Sequence, residues 1–140
     1  MNKSTWQQMV ENNKYFYLKY AAWNIQSICH SSMRELGWWV DLETGEDLIK
    51  APRIVEQKLC LIHSEISEAL EGHRKGLMDD KLPHRAMLEV ELADAIIRIA
   101  DLAGALELDL GGAIAEKMAY NMERADHKLE NRKKEGGKNF

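Results

Sequence analysis

The sequence predicts an all-α protein, an antiparallel bundle of about four to five helices. Three observations predict it. Apolar residues recur at helical spacing along nearly the whole chain, while strand-like alternation is almost absent. The two prolines, Pro52 and Pro83, and the glycines Gly37 and Gly76 fall between the periodic runs rather than inside them. The connections between runs are short, apart from one segment over 37–52. At 140 residues the chain is the size of one domain, read here as residues 1–130, with a flexible tail over 131–140.

The first helical region spans Ser4 to Leu36. Ser4 or Thr5 caps its start, and Gly37 supplies its stop. Tyr17, Ala21, Ile25, Ile28 and Met33 form its apolar face, with a break expected near Asn12-Asn13. Residues 37–52 read as a loop, and a loop of that length in a small domain is often functional. The second helix is expected from Pro52 to Lys75, with Val55, Leu59, Ile62, Ile66 and Ala69 as its stripe. The third is expected from Pro83 to Leu106, with Pro83 in the first turn. The fourth starts at Asp109, a good cap, and runs to about Glu130. The remainder, Asn131 to Phe140, has the charge and glycine content of a frayed end.

Composition narrows the function. Apolar residues make up 45% and charged residues 30%, values typical of a soluble globular protein. The net charge of −4 argues against a nucleic-acid polymer as partner, which calls for a basic bias. Cys29 and Cys60 form no CxxC and are too few for a disulfide framework, so thiols in a reducing cytoplasm are expected. No signal-like apolar run opens the chain, and no stretch is apolar enough to span a membrane.

Two short motifs carry the chemistry. Glu65-Ile-Ser-Glu68 and Glu91-Leu-Ala-Asp94 each place two carboxylates at i and i+3, about 5–6 Å apart on one helix face. An antiparallel hairpin of the second and third helices pairs Glu65 with Asp94 and Glu68 with Glu91, centred on Asp79-Asp80. Four facing carboxylates repel one another, and a divalent cation relieves the repulsion. Oxygen donors of this kind suit Mg²⁺ or Mn²⁺. The third helix is apolar around most of its girth and is expected to be largely buried, so its charged stripe Glu91, Asp94, Arg98, Asp101 needs partners. Arg98 and Asp101 are read as ion-pair partners rather than ligands. A single ExxE is usually solvated surface; it is the pairing of two in register that points to metal.

Lys58-Leu-Cys-Leu-Ile-His-Ser-Glu-Ile-Ser-Glu, then Glu91-Leu-Ala-Asp94, then Lys117-Met-Ala-Tyr-Asn121 resemble the MazG-like all-alpha NTP pyrophosphohydrolases. That superfamily also holds the dimeric dUTPases and dCTP pyrophosphatases. The likeness covers about residues 50–128. It implies that Glu65, Glu68, Glu91 and Asp94 bind Mg²⁺, with Mn²⁺ able to substitute. It implies that Lys117 and Asn121 contact the phosphates and the sugar or base; these two share a helix face at i and i+4, and Arg124 at i+7 would extend it. The implied reaction is hydrolysis of a nucleoside triphosphate to the monophosphate and pyrophosphate, in dNTP pool control or nucleotide house-cleaning. Water, activated by the metal, would attack the α-phosphorus in line, Lys117 would offset phosphate charge, and one acid, such as Glu68, would act as base. A homodimer or homotetramer in the cytoplasm is likewise implied.

Trp38 and Trp39, in the long loop, are candidates for stacking on the nucleobase, against the alternative that they anchor the loop on the core. His63 reads as a core histidine or one behind the ligands, and Trp6 and Trp23 as core or subunit interface. His30, His73, His84 and His127 share no spacing and receive no role. A di-iron bundle is discounted because no Glu is followed three positions later by His. The competing reading is a non-catalytic oligomeric scaffold or nucleotide-binding protein of the same fold.

Overall fold

The computed structural model describes residues 5–138, with side chains from residue 13 onward. Among the described residues there are five α-helices and no strand: α1 (Thr5–Glu35), α2 (Ile54–Lys75), α3 (Met87–Ala105), α4 (Leu110–Glu123) and α5 (Leu129–Arg132). None is long and apolar enough to cross a membrane. The Ser4 or Thr5 cap and the side chain of Trp6 lie outside the described residues. Two compact units are formed, one by the residues up to Asn24 together with those from Asp109 onward, the other by Ile25–Leu108.

Several boundaries differ from the expectation. α1 runs unbroken through Asn12-Asn13. α2 begins at Ile54 rather than Pro52, because Arg53 sits in the left-handed region at φ 63°. α3 begins at Met87 rather than Pro83. The reason lies in Asp79, whose carboxylate accepts the backbone N–H groups of Lys81 (3.0 Å) and Leu82 (2.6 Å). That turn, the bridge between Met78 and Ala86, and the bond from Asp79 N to Arg85 O at 3.0 Å hold Pro83 in a closed loop.

In the Ile25–Leu108 unit, α2 and α3 pack along each other as an antiparallel hairpin. Gly72 of α2 abuts Met87, and a Cβ there would stand 2.9 Å from the methionine Cβ, so only a glycine allows this approach. At the other end, a Cβ on Gly104 would meet the imidazole of His30 at 2.7 Å, so the C-terminal part of α1 also lies close on α3. The core consists of Trp39, Ile54 and Leu102, with Met33, Leu48, Val55, Ile62 and Leu106 packed around it. The 37–53 segment is therefore a folded strap rather than an open loop. Val40 bridges Asp47, Asp41 accepts the N–H groups of Glu43 and Thr44, and Asp47 caps a short 3₁₀ turn over Leu48–Lys50.

α3 is less covered than its composition predicts. It packs through Glu91, Ala95 and the run from Ala100 to Ala103, while Leu92, Ile96 and Ile99 stay 40–54% exposed. On α2, Leu59, Ile66 and Leu70 are exposed as well. Both cysteines are free thiols.

In the other unit, Asp109 caps α4 by accepting Gly112 N–H at 2.9 Å, and Lys19 reaches the same carboxylate at 3.4 Å. α4 ends at Glu123, well short of Glu130, because Arg124 turns to an extended conformation (φ −61°, ψ 129°). A 3₁₀ turn over Ala125–His127 and the short α5 follow. Within the segment read as a tail, Arg132 Nε donates to Lys138 O at 3.0 Å. Trp23, expected to be core or interface, is 56% exposed and packs edge-on to Tyr20.

Candidate metal centre and its neighbouring cavity

Glu65 lies in the middle of α2, and Glu91 and Asp94 lie one turn apart on α3. The hairpin register sets them face to face, and one carboxylate oxygen from each lies within 4.8 Å of the others. Glu65 is 5% and Glu91 7% exposed, and Asp94 is half-buried. The fourth acid, Glu68, does not join this triad. It is exposed, yet it lines the same cavity of about 710 Å³ with Asp79, Lys81 and Arg98.

The electrostatics follow from burial among like charges. Burial foremost, then a hydrogen bond with Glu65 and the charges of Glu68, Glu65 and Asp94, push the Glu91 carboxyl up to about 7. Asp94 is also raised, mainly by burial and then by the charge of Glu65, with Arg98 working against the shift. Arg98 is ion-paired with the triad, its Nε 2.5 Å from Glu65 Oε1, and the Lys81 charge is also felt by Glu91. Three clustered oxygen donors, two of them buried and two reluctant to ionise, form a donor set suited to a hard divalent cation.

A second cavity, of about 470 Å³, adjoins the first and shares Asp94 and Arg98 with it. Trp38, Lys58, Leu61 and Asp101 line its remaining wall. Trp38 is 63% exposed, so its indole face is open to a ligand. Trp39 is not: it is fully buried, which corrects its candidacy for base stacking and makes it the anchor of the strap. Its Nε1–H donates to Asp101 at 2.8 Å, the Lys58 ammonium sits 4.3 Å from its ring centroid, and His30 meets it edge-on.

Asp101 is the hub of this wall. Besides Trp39, it takes His30 Nδ1 at 2.9 Å and lies 3.9 Å from Lys58 Nζ. Burial lowers the Lys58 ammonium, with Asp101 opposing the shift and Arg98 adding to it. Lys58, His30 and Asp79 were missed as site residues. Lys58 was within reach of sequence reasoning, since it lies two helical turns before Glu65 on the same face. His30 and Asp79 act through contacts that no spacing rule encodes.

His63 is exposed rather than behind the ligands. Lys117 and Asn121 lie on α4, in the unit that combines the residues up to Asn24 with those from Asp109 onward. Lys117 is exposed, with its ammonium 5.0 Å from the Tyr120 ring centroid. The Asn121 side-chain oxygen is buried without a hydrogen-bond partner. Arg124 does not extend their face, because the helix has already ended; it forms a two-pronged pair with Asp126 at 2.6 and 2.9 Å.

Comparison with known proteins finds no family model, no curated protein and no solved structure that matches the chain. The resemblance described above therefore rests on the motif residues themselves.

Proposed function

We propose that the protein is a divalent-metal-dependent pyrophosphohydrolase of nucleoside triphosphates, acting in dNTP pool control or nucleotide house-cleaning in the cytoplasm. The observation that carries this reading is the convergence of Glu65, Glu91 and Asp94 in a buried, mutually repelling cluster. Such a cluster is costly unless a cation neutralises it. Glu65, Glu91 and Asp94 would hold Mg²⁺ or Mn²⁺, which when bound supplies Lewis acidity at the phosphates and the attacking water. Glu68, which lines the cavity outside the triad, would accept the proton of that water as its oxygen bonds to the α-phosphorus and pyrophosphate departs. The adjoining cavity, with the open face of Trp38, supports a base or sugar subsite beside the phosphates. The motif supports Lys117 and Asn121 as substrate ligands.

The exposed apolar residues of α2 and α3, Leu59, Ile66, Leu70, Leu92, Ile96 and Ile99, support assembly into a homodimer or homotetramer. Light scattering on the purified protein tests it; a monomer at micromolar concentration would remove the assembly from the proposal.

The experiment for the activity is a substrate panel of all common NTPs and dNTPs with Mg²⁺, read by release of pyrophosphate and monophosphate. Metal-dependent turnover of at least one nucleotide is expected, abolished by chelation. Tight nucleotide binding without turnover would favour the non-catalytic reading, and neither binding nor turnover would end both.

A further inference from the structure

The side chain of Arg98 stands at the junction of the two cavities and lines both. Its Nε is on Glu65 Oε1 at 2.5 Å, and Glu65 is almost fully buried. The Arg98 side chain as a whole remains 41% exposed. The other cation of the acidic cavity, Lys81, is bonded to Asp80 at 2.8 Å and is 82% exposed, so it does not compensate Glu65. Arg98 follows Asp94 by one helical turn on α3, and both residues line the two cavities.

We propose that Arg98 is an exchangeable counter-ion: it satisfies Glu65 until a divalent cation arrives, and then turns to the anionic phosphate of the substrate. This rests on the metal-dependent reading above. The physical argument has three parts. A buried carboxylate left alone is costly, so an empty triad needs a cation of the protein's own. Arginine keeps its charge at any ordinary pH, so it cannot relieve the pairing by losing a proton. A divalent cation at Glu65 removes the need for the pair and repels the guanidinium, whose planar fork matches a phosphate with two parallel hydrogen bonds. Arg98 would therefore compete with the metal when no nucleotide is present and cooperate with it when one is. A permanent structural ion pair would not show this change of sign.

The test is calorimetric titration of Mn²⁺ into the wild type and into Arg98→Gln and Arg98→Lys, followed by titration of a non-hydrolysable α,β-imido nucleoside triphosphate into each Mn²⁺-loaded protein. Arg98→Gln should bind Mn²⁺ alone about 3–10-fold more tightly and the analogue about tenfold or more weakly, with Arg98→Lys between it and the wild type. Should Arg98→Gln fail to fold by circular dichroism, the same opposed shifts, smaller in size, are expected of Arg98→Lys alone. Unchanged or weaker Mn²⁺ binding in folded variants would overturn the exchange while leaving the metal centre standing. Absence of Mn²⁺ binding in the wild type would overturn the metal centre itself, and the exchange with it.

Discussion

Glu91 and Asp101 are both buried carboxylates on α3, and the protein surrounds them in opposite ways. Asp101 takes hydrogen bonds from Trp39 and His30 and has Lys58 nearby, so its charge is met by donors on three other segments. Glu91 faces Glu65, Glu68 and Asp94, and its carboxyl is pushed up to about 7. One acid has been made part of the scaffold, while the other is held in an environment that its own charge opposes. Burial alone does not separate the two cases; the sign of the neighbours does.

The contrast can be broken most severely at the triad. Asp94→Asn should lower metal-dependent turnover by about two to three orders of magnitude with little loss of helicity. Steady-state assay beside circular dichroism checks it, and retained turnover would take Asp94 out of the mechanism. The scaffold acid should behave in reverse. Asp101→Ala leaves the Trp39 N–H and the Lys58 charge without their partner, and should cost about 3–5 kcal/mol of folding stability by urea denaturation. If that variant instead lost Mn²⁺ affinity at unchanged stability, the division between the two acids would be wrong.

Smaller effects sharpen the same comparison. Trp38→Ala should weaken nucleotide binding by about 1–3 kcal/mol if a base stacks on it, with melting temperature nearly unchanged. Trp39→Ala should cost about 3–5 kcal/mol of stability instead. Denaturation and binding isotherms on the two neighbours would collapse this distinction if both gave the same pattern.

The smallest effect is on pH dependence. Glu91 ionises at 4.5 in the unfolded chain and about 7 in the folded one, so between those values the folded state keeps a proton the unfolded state has lost. Its contribution to stability is full below 4.5 and is lost as pH rises through about 7. The metal-free protein should therefore melt lower near pH ~8 than near pH ~5.5, and Glu91→Gln should lose that component. Mn²⁺ affinity should rise over the same interval, since the ligand must shed its proton. Parallel melting curves of the two proteins against pH would count against the shifted carboxyl.

The helices and the facing acids were legible in the sequence because both depend on spacing along one helix. An i, i+3 pair on α2 and another on α3, with a connecting loop of the right length, leave little choice about what meets across the hairpin. Glu68 shows where that reasoning stops, since it shares the spacing but is exposed and outside the triad. Helix starts were harder to read. Pro52 and Pro83 suit a first turn, yet the left-handed Arg53 and the Asp79 turn delay both helices. Trp38 and Trp39 could not be told apart because a non-periodic strap gives no face to assign. The His30–Asp101–Lys58 grouping joins three segments by tertiary contact, so no single stretch announces it.

Gly104 ties these strands together. Its missing methyl is what lets the imidazole of His30 lie against α3, where it donates to Asp101. A wedge of one carbon at that position would pry away one of the donors that keep this acid quiet. An inconspicuous glycine thus governs whether a helix carries one restless carboxylate or two, and a mutation that looks purely steric would announce itself as a change in charge.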